Sequence, residues 1–271
     1  MKTVIVCSVT DCAGTNIRER LLESFPFEAT DIIFDRNPVY RIGSDISLVS
    51  SRQSIIFVDH LDDVFHPNRA VFISRHYAES GIPSLTAHFT GNFGKADFGG
   101  NPGEISRYSP YLLKTYMQNL KTKSQDIASR YNITLEATHH GPTALKSTVL
   151  FVELGSTEIQ WIDVNAAAKI AKALIETLRT RGNQLEKCAV CIGGTHYSEK
   201  FNNALFNSEF GIGPIVPKHA LEYFSSATLK QIMEKSDQPV SYAIIDRKGL
   251  GKFKENVMRV VDDSGLEKIL V

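Results

Sequence analysis

Short runs rich in Val, Ile and Phe alternate along this chain with longer segments of helical periodicity, and that alternation limits the available folds more than any other feature. The strand-like runs are residues 3–9, 46–50, 55–59, 70–74, 133–138, 148–154, 188–192 and 241–245. Each is brief, apolar and bounded by turn residues, as strands buried on both faces should be. Helical patterns fill the intervals at 16–24, 110–131, 164–181, 220–223, 228–235 and 251–262. Within 164–181 the apolar positions Ala167, Ile170, Ala171, Leu174, Ile175 and Leu178 share a face, with Asp163 placed to cap the start and Gly182 to stop the end. Such alternation predicts a three-layer α/β/α fold with a mostly parallel mixed sheet, here as a single α/β domain over residues 1–271. A Gly-rich insertion around 91–109 interrupts the pattern, with Gly91, Gly94, Gly99, Gly100 and Gly103 interleaved with Phe93 and Phe98. Insertions of that length within a compact domain are usually functional.

Charge narrows the function. Lys+Arg and Asp+Glu both total 30, so no general basic surplus advertises nucleic acid, and contact with one must use a local patch. DNA is not an expected partner. Residues 1–9 form an apolar stretch too short to span a membrane and without a leader-cleavage pattern, which reads as the first strand. No other run approaches a membrane span. Cys7, Cys12, Cys188 and Cys191 are few and lie mostly in strand-like segments, so a reducing cytoplasm is expected. Cys188 and Cys191 form a CxxC, but inside an apolar run and with no second pair, which reads as buried structural thiols.

The chemistry lies with the histidines, most of which fall where strand-like runs give way to small residues. In α/β proteins that edge of the sheet is where ligand sites are built. Glu136-Ala137-Thr138-His139-His140-Gly141-Pro142 ends a strand, so both rings can converge past its end. The next strand closes in Glu153-Leu154-Gly155-Ser156-Thr157-Glu158, which brings two carboxylates to the same mouth. Imidazoles beside carboxylates can hold a metal with an open position for water, or orient a base without one. His139, His140 and Glu153 are the expected metal set. In Gly193-Gly194-Thr195-His196 the exposed amides of Gly193 and Gly194 could bind an oxyanion beside His196. His76 and His88 are candidate substrate contacts, Glu158 a candidate partner for an amine, and Lys95 and Lys114 candidate contacts to phosphate. Lys121, Lys123 and Arg130 extend that possible patch. His60 and His66 read as a solvated turn, and His219 as a flank of the helical segment after it. Neither HExxH, GxSxG, a Walker loop nor GxGxxG is present.

The strings ISRHYAESGIPSLTAHFTGNF, EATHHGPT, FVELGSTE and CIGGTHY, in this order after a start of VIVCSVTDCAGTNIRERLL, resemble the archaeal and plant type of D-aminoacyl-tRNA deacylase. The likeness spans essentially the whole chain. It implies hydrolysis of the ester joining a D-amino acid to the 3′ end of tRNA, zinc dependence, and a phosphorylase-like three-layer fold. It assigns no individual ligand. A monomer or weak dimer is expected. Two other functions fit the residues alone. A metallo-hydrolase of small esters or amides would turn over substrates lacking RNA. A non-catalytic RNA-binding protein would bind tRNA without need of His139 or His196.

Overall fold

The computed structural model describes residues 1–180, 182 and 184–271. In chain order the elements are β1 (Thr3–Ser8), α1 (Cys12–Ser24), β2 (Glu28–Phe34), β3 (Asn37–Ile42), β4 (Ile46–Ser51), α2 (Leu61–Val64), β5 (Arg69–Tyr77), β6 (Ser84–His88) and α3 (Pro110–Lys123). There follow β7 (Asn132–Leu135), β8 (Thr148–Ser156), α4 (Glu158–Trp161), α5 (Val164–Arg179), β9 (Cys188–Ile192) and α6 (Glu199–Asn207). The last are β10 (Gly211–Val216), α7 (Ser226–Lys235), β11 (Tyr242–Ile245), α8 (Lys254–Ser264) and β12 (Glu267–Leu270).

The strands form two sheets. The larger has eight strands in the order β2-β3-β4-β1-β5-β8-β6-β7, and the smaller has four in the order β10-β9-β11-β12. The smaller sheet is parallel throughout. In the larger one, β4, β1, β5 and β8 run parallel, β6 is antiparallel to β8, and β2 and β3 form an antiparallel edge. The expected mixed, mostly parallel α/β architecture is present, with its strands divided between two sheets.

Period-two alternation explains why the central strands look continuously apolar. In β1, Ile5 and Cys7 enter one core while Val4 and Val6 enter another on the opposite face. β5 repeats this with Val71 and Ile73 against Ala70 and Phe72, and β8 with Leu150 and Val152 against Val149 and Phe151. Both faces are therefore covered, as parallel strands require. The first core also takes in Ile17 of α1, Ile170 and Leu174 of α5, Tyr116 of α3, and Val190 and Ile244 of the smaller sheet. One apolar mass thus backs both sheets.

Several local expectations are revised. Residues 55–59 form a 3-10 turn at Ile55–Phe57, whose buried Ile55 and Val58 cover the second core instead of pairing as a strand. The long helix ends at Lys123 because Ser124 leaves helical geometry, and a 3-10 turn at Gln125–Ile127 follows. Residues 220–223 belong to a 3-10 segment, Lys218–Tyr223. Asp163 caps α5 as expected, accepting from the Ala166 amide at 3.0 Å. That helix closes on Thr180, and the expected end at Arg181 lies outside the described residues.

Candidate active site and metal centre

The face of the large sheet that carries Phe72 and Phe151 turns polar toward the C-terminal ends of β5 and β8. Residues directly paired across strands share a face. Ser74 is paired with Glu153, Glu153 with Thr86, and Phe151 with His88. His76 lies two residues beyond Ser74, so Ser74, His76, Glu153 and His88 project to one side. Ser74 Oγ donates to Glu153 Oε1 at 2.6 Å. His76 Nδ1 lies 3.1 Å from Glu136 Oε1 and 3.5 Å from Glu153 Oε2. All of these side chains are buried.

The segment after β7 supplies the rest by being stitched to both sheets. The Glu136 amide donates to Ala87 O, the Ala137 amide to His196 O, and the Thr138 amide to Ile215 O. Ile215 returns a bond from its amide to Thr138 Oγ1 at 3.0 Å. The Gly91 amide reaches the carbonyls of His139 and His140, fixing the turn against the Gly-rich insertion. A Cβ on Gly141 would overlap the backbone of Gly99 and Gly100, so only glycine lets these two segments touch. His140 holds φ at 44°, a left-handed conformation that a non-glycine residue keeps only under constraint.

The result is a wall of histidines. Ring centroids of His88 and His139 are 4.2 Å apart, those of His139 and His140 4.4 Å, and those of His139 and His196 4.8 Å. Three Nδ1 atoms are committed to backbone carbonyls: His88 to Phe89 at 3.1 Å, His139 to Ala137 at 2.8 Å and His140 to Gly141 at 2.7 Å. Each N–H so used fixes the tautomer and leaves Nε2 with its lone pair, the form a metal needs. These three rings place a ligand nitrogen each within 4.8 Å of one another. His88 Nε2 is buried without a hydrogen-bond partner. That orphaned nitrogen, at the meeting point of two neutral imidazoles, fits a divalent cation with nitrogen ligands and an open position.

The electrostatics follow from burial and pairing. Burial opposes charge on His76, yet Glu136 and Glu153 overcome it and push its pKa up to about 10. Burial also opposes charge on His88, and Glu153, 3.8 Å from Nε2, outweighs it. The site therefore calls for positive charge at that nitrogen, from a proton or from a metal ion. Burial, then repulsion from His88, drives His139 well below the ordinary imidazole range and His140 down to about 3. Glu136 is opposed by burial but held well below the usual carboxylate range by His196 and His76. His196 Nε2 sits 3.0 Å from Glu136 Oε2, and Tyr197 Oη sits 3.2 Å from His76 Nε2.

Of the residues singled out in the sequence, His76, His88, His139, His140, His196 and Glu153 come together. Their grouping differs from expectation. Glu153 joins Glu136 and His76, while His88 takes its place beside His139 and His140. The cause is the bond from Ser74, which together with His76 draws the Glu153 carboxylate toward β5. Lys95 lines the cavity that His139 and His140 also border.

Other expected residues lie elsewhere. Glu158 is exposed at the start of α4, outside these groups. Lys114 is buried, and its Nζ donates to Ser208 O at 2.7 Å and Phe210 O at 2.8 Å, so it is spent on a loop. On α3, Lys123 pairs with Glu176 and Lys121 lies over the Phe206 ring, and beyond that helix Arg130 pairs with Asp163, so each of these cations has a partner within the fold. The Gly193 amide donates to Val216 O at 2.9 Å, and a Cβ on Gly249 would lie 2.5 Å from the Gly194 nitrogen. The Gly193 amide therefore serves the smaller sheet instead of an oxyanion. Glu136 and Tyr197 were not singled out. Position within the EATHHGPT and CIGGTHY strings was their only signal.

A family model described as D-aminoacyl-tRNA deacylase matches residues 64–269. A relative from Thermococcus kodakarensis named D-aminoacyl-tRNA deacylase is 33% identical over 99% of each chain. Another of that name from Cenarchaeum symbiosum is 36% identical over 84% of this chain and 87% of its own. A crystal structure of a conserved protein of unknown function superposes with a TM-score of 0.90 at 30% identity, covering 99% of this chain and 95% of the other. With a family match across most of its length and relatives this similar from end to end, the chain belongs to the D-aminoacyl-tRNA deacylase family.

Proposed function

We infer that this protein hydrolyses the ester bond of D-aminoacyl-tRNA, releasing the D-amino acid and free tRNA. The observation that carries the reading is the histidine wall centred on Glu136, in a chain of this family. An aminoacyl ester is already activated, so its cleavage needs a positioned water, a base, a donor to the oxyanion and a proton for the leaving 3′ oxygen.

Zinc is the proposed cofactor, held by Nε2 of His88, His139 and His140; when bound it would supply Lewis acidity and lower the pKa of a water. The chain's own groups supply the rest. Glu136 accepts the Nε2 proton of His196, leaving Nδ1 able to take a proton from the attacking water. The water oxygen bonds to the ester carbon, the carbon–O3′ bond breaks, and His196 returns the proton to O3′. His76, charged between two carboxylates, donates through Nε2 to Tyr197, whose own hydroxyl proton is then free for the developing oxyanion. Ser74 and Glu153 hold His76 and His88 in place.

Lys95 is the proposed phosphate contact, since Lys114 is spent elsewhere. We further propose a single folding unit, acting as a monomer or weak dimer in the cytoplasm, where Cys7, Cys188 and Cys191 stay buried and reduced. No helix among the described residues is long and apolar enough to cross a membrane. The reading is tested with matched D- and L-tyrosyl-tRNA. Selective cleavage of the D-ester is expected. Turnover of free amino-acid esters with both tRNA esters left intact would instead favour a small-substrate metallo-hydrolase.

A further inference from the structure

We propose that two cavities flanking the histidine wall divide the substrate. The cavity bordered by Lys95, Phe98 and Tyr223 receives the 3′-terminal nucleotide, and the cavity bordered by His76 and Tyr197 receives the D-amino-acid side chain. The proposal rests on the deacylase reading and adds the two subsites to it.

The first cavity, about 380 Å³, has His139, His140 and His219 on its inner side. At its rim Phe98 is 68% exposed and Tyr223 44% exposed. The Tyr223 ring and the Phe98 backbone are braced. Gly94 lies so close to the Tyr223 ring that a Cβ there would sit 2.7 Å from Cε2, and Phe98 O accepts the Gly141 amide at 3.0 Å. Aromatic faces left open to water are what unstacked bases bind, because every base offers a π-face. Lys95 adds a cation for the adjoining phosphate. Asp97 and Glu222, on the same walls, are acceptors suited to ribose hydroxyls or an exocyclic amine.

The second cavity, about 300 Å³, has the opposite character. Ser80, Ile82, Asn132 and Glu199 line it with His76 and Tyr197, and it contains neither Lys nor Arg. A phosphate would meet the Glu199 carboxylate and no Lys or Arg there, and the imidazolium of His76 is already held between Glu136 and Glu153. An amino acid would find an apolar wall, hydroxyl and amide partners, and an anion for its ammonium. The wall itself links the two spaces. His196 lies 4.8 Å from His139 and 4.7 Å from Tyr197, and Tyr197 lies 5.6 Å from His76, centroid to centroid. A substrate with one end in each cavity must lay its ester across His139 and His196.

The test uses the zinc-loaded full chain with three ligands: D-tyrosyl-tRNA, D-alanyl-tRNA and the trinucleotide CCA, whose binding is followed by calorimetry. Phe98→Ala and Tyr223→Ala should each raise the CCA Kd and the KM of both esters at least about fivefold, with kcat within about twofold. Phe98→Trp should restore wild-type values. Ile82→Trp should cut kcat/KM for the tyrosyl ester about tenfold more than for the alanyl ester, with CCA binding unchanged. CCA binding indifferent to both aromatic variants, in protein that melts like wild type, would overturn the nucleotide subsite. Equal losses for both esters in Ile82→Trp would overturn the side-chain subsite. If wild type cleaves neither ester but Phe98→Ala still loses CCA, the deacylase reading fails while the nucleotide subsite stands.

Discussion

At Glu136 a buried carboxylate meets His76 and His196 directly, with His139 at 4.0 Å, which makes it the hinge of the site's chemistry. Glu136→Gln keeps the shape and removes the charge, so kcat should fall by about 10²–10⁴ while KM for D-tyrosyl-tRNA changes little. A variant with unchanged kcat would remove the Glu136–His196 pair from the mechanism. His88→Ala deletes the orphaned nitrogen. Bound zinc measured after gel filtration should drop from about one ion to well below it, with at least about a hundredfold loss of activity. Tyr116 offers a check on the core. Its hydroxyl is buried in α3 with no partner, so Tyr116→Phe should raise stability by about 1 kcal/mol in urea denaturation. Much of this scale was legible in the sequence, because His139, His140 and His196 sit where strands must end. Glu136 was not, since a carboxylate just past a strand looks the same whether it faces solvent or an imidazole.

Elements decide which of those side chains meet. In β8, Gly155 lies opposite His76 of β5, and a Cβ at that position would collide with the His76 carbonyl and the Trp161 ring. Gly155→Ala should therefore cost about 1–3 kcal/mol by urea denaturation and lower activity more than a surface change of equal size. Wild-type activity in this variant would show that the β5 end tolerates displacement. The central strands and α5 were readable from periodicity and the Asp163 cap. The β2–β3 edge and β10 were not. Glu28–Phe34 mixes polar with apolar residues, and Gly211–Val216 carries Gly and Pro that read as a turn. Missing β10 had a direct consequence, since the acceptor of the Gly193 amide lies on that strand. One of the two amides expected to face an oxyanion is thereby engaged within the smaller sheet.

Across the whole molecule, formal charge is zero and the lysines of α3 are largely committed within the fold. Affinity for tRNA should thus rest on few phosphates, giving a slope of log K against log salt no steeper than about −3. A slope near −8 would show many more phosphate contacts than this account assigns. The α/β class was visible from alternation alone, whereas the split into two sheets was not, because buried strands of either sheet have the same composition. The split matters for function. The segment Glu136–His140 is hydrogen-bonded to both sheets, and the wall forms only where they meet. The most direct test of that account is zinc titrated into chelator-treated protein during turnover of D-tyrosyl-tRNA. Activity should rise from near zero to a plateau at about one ion per chain, and His88→Ala should stay flat throughout. Full turnover by the metal-free protein, untouched by added zinc, would contradict it.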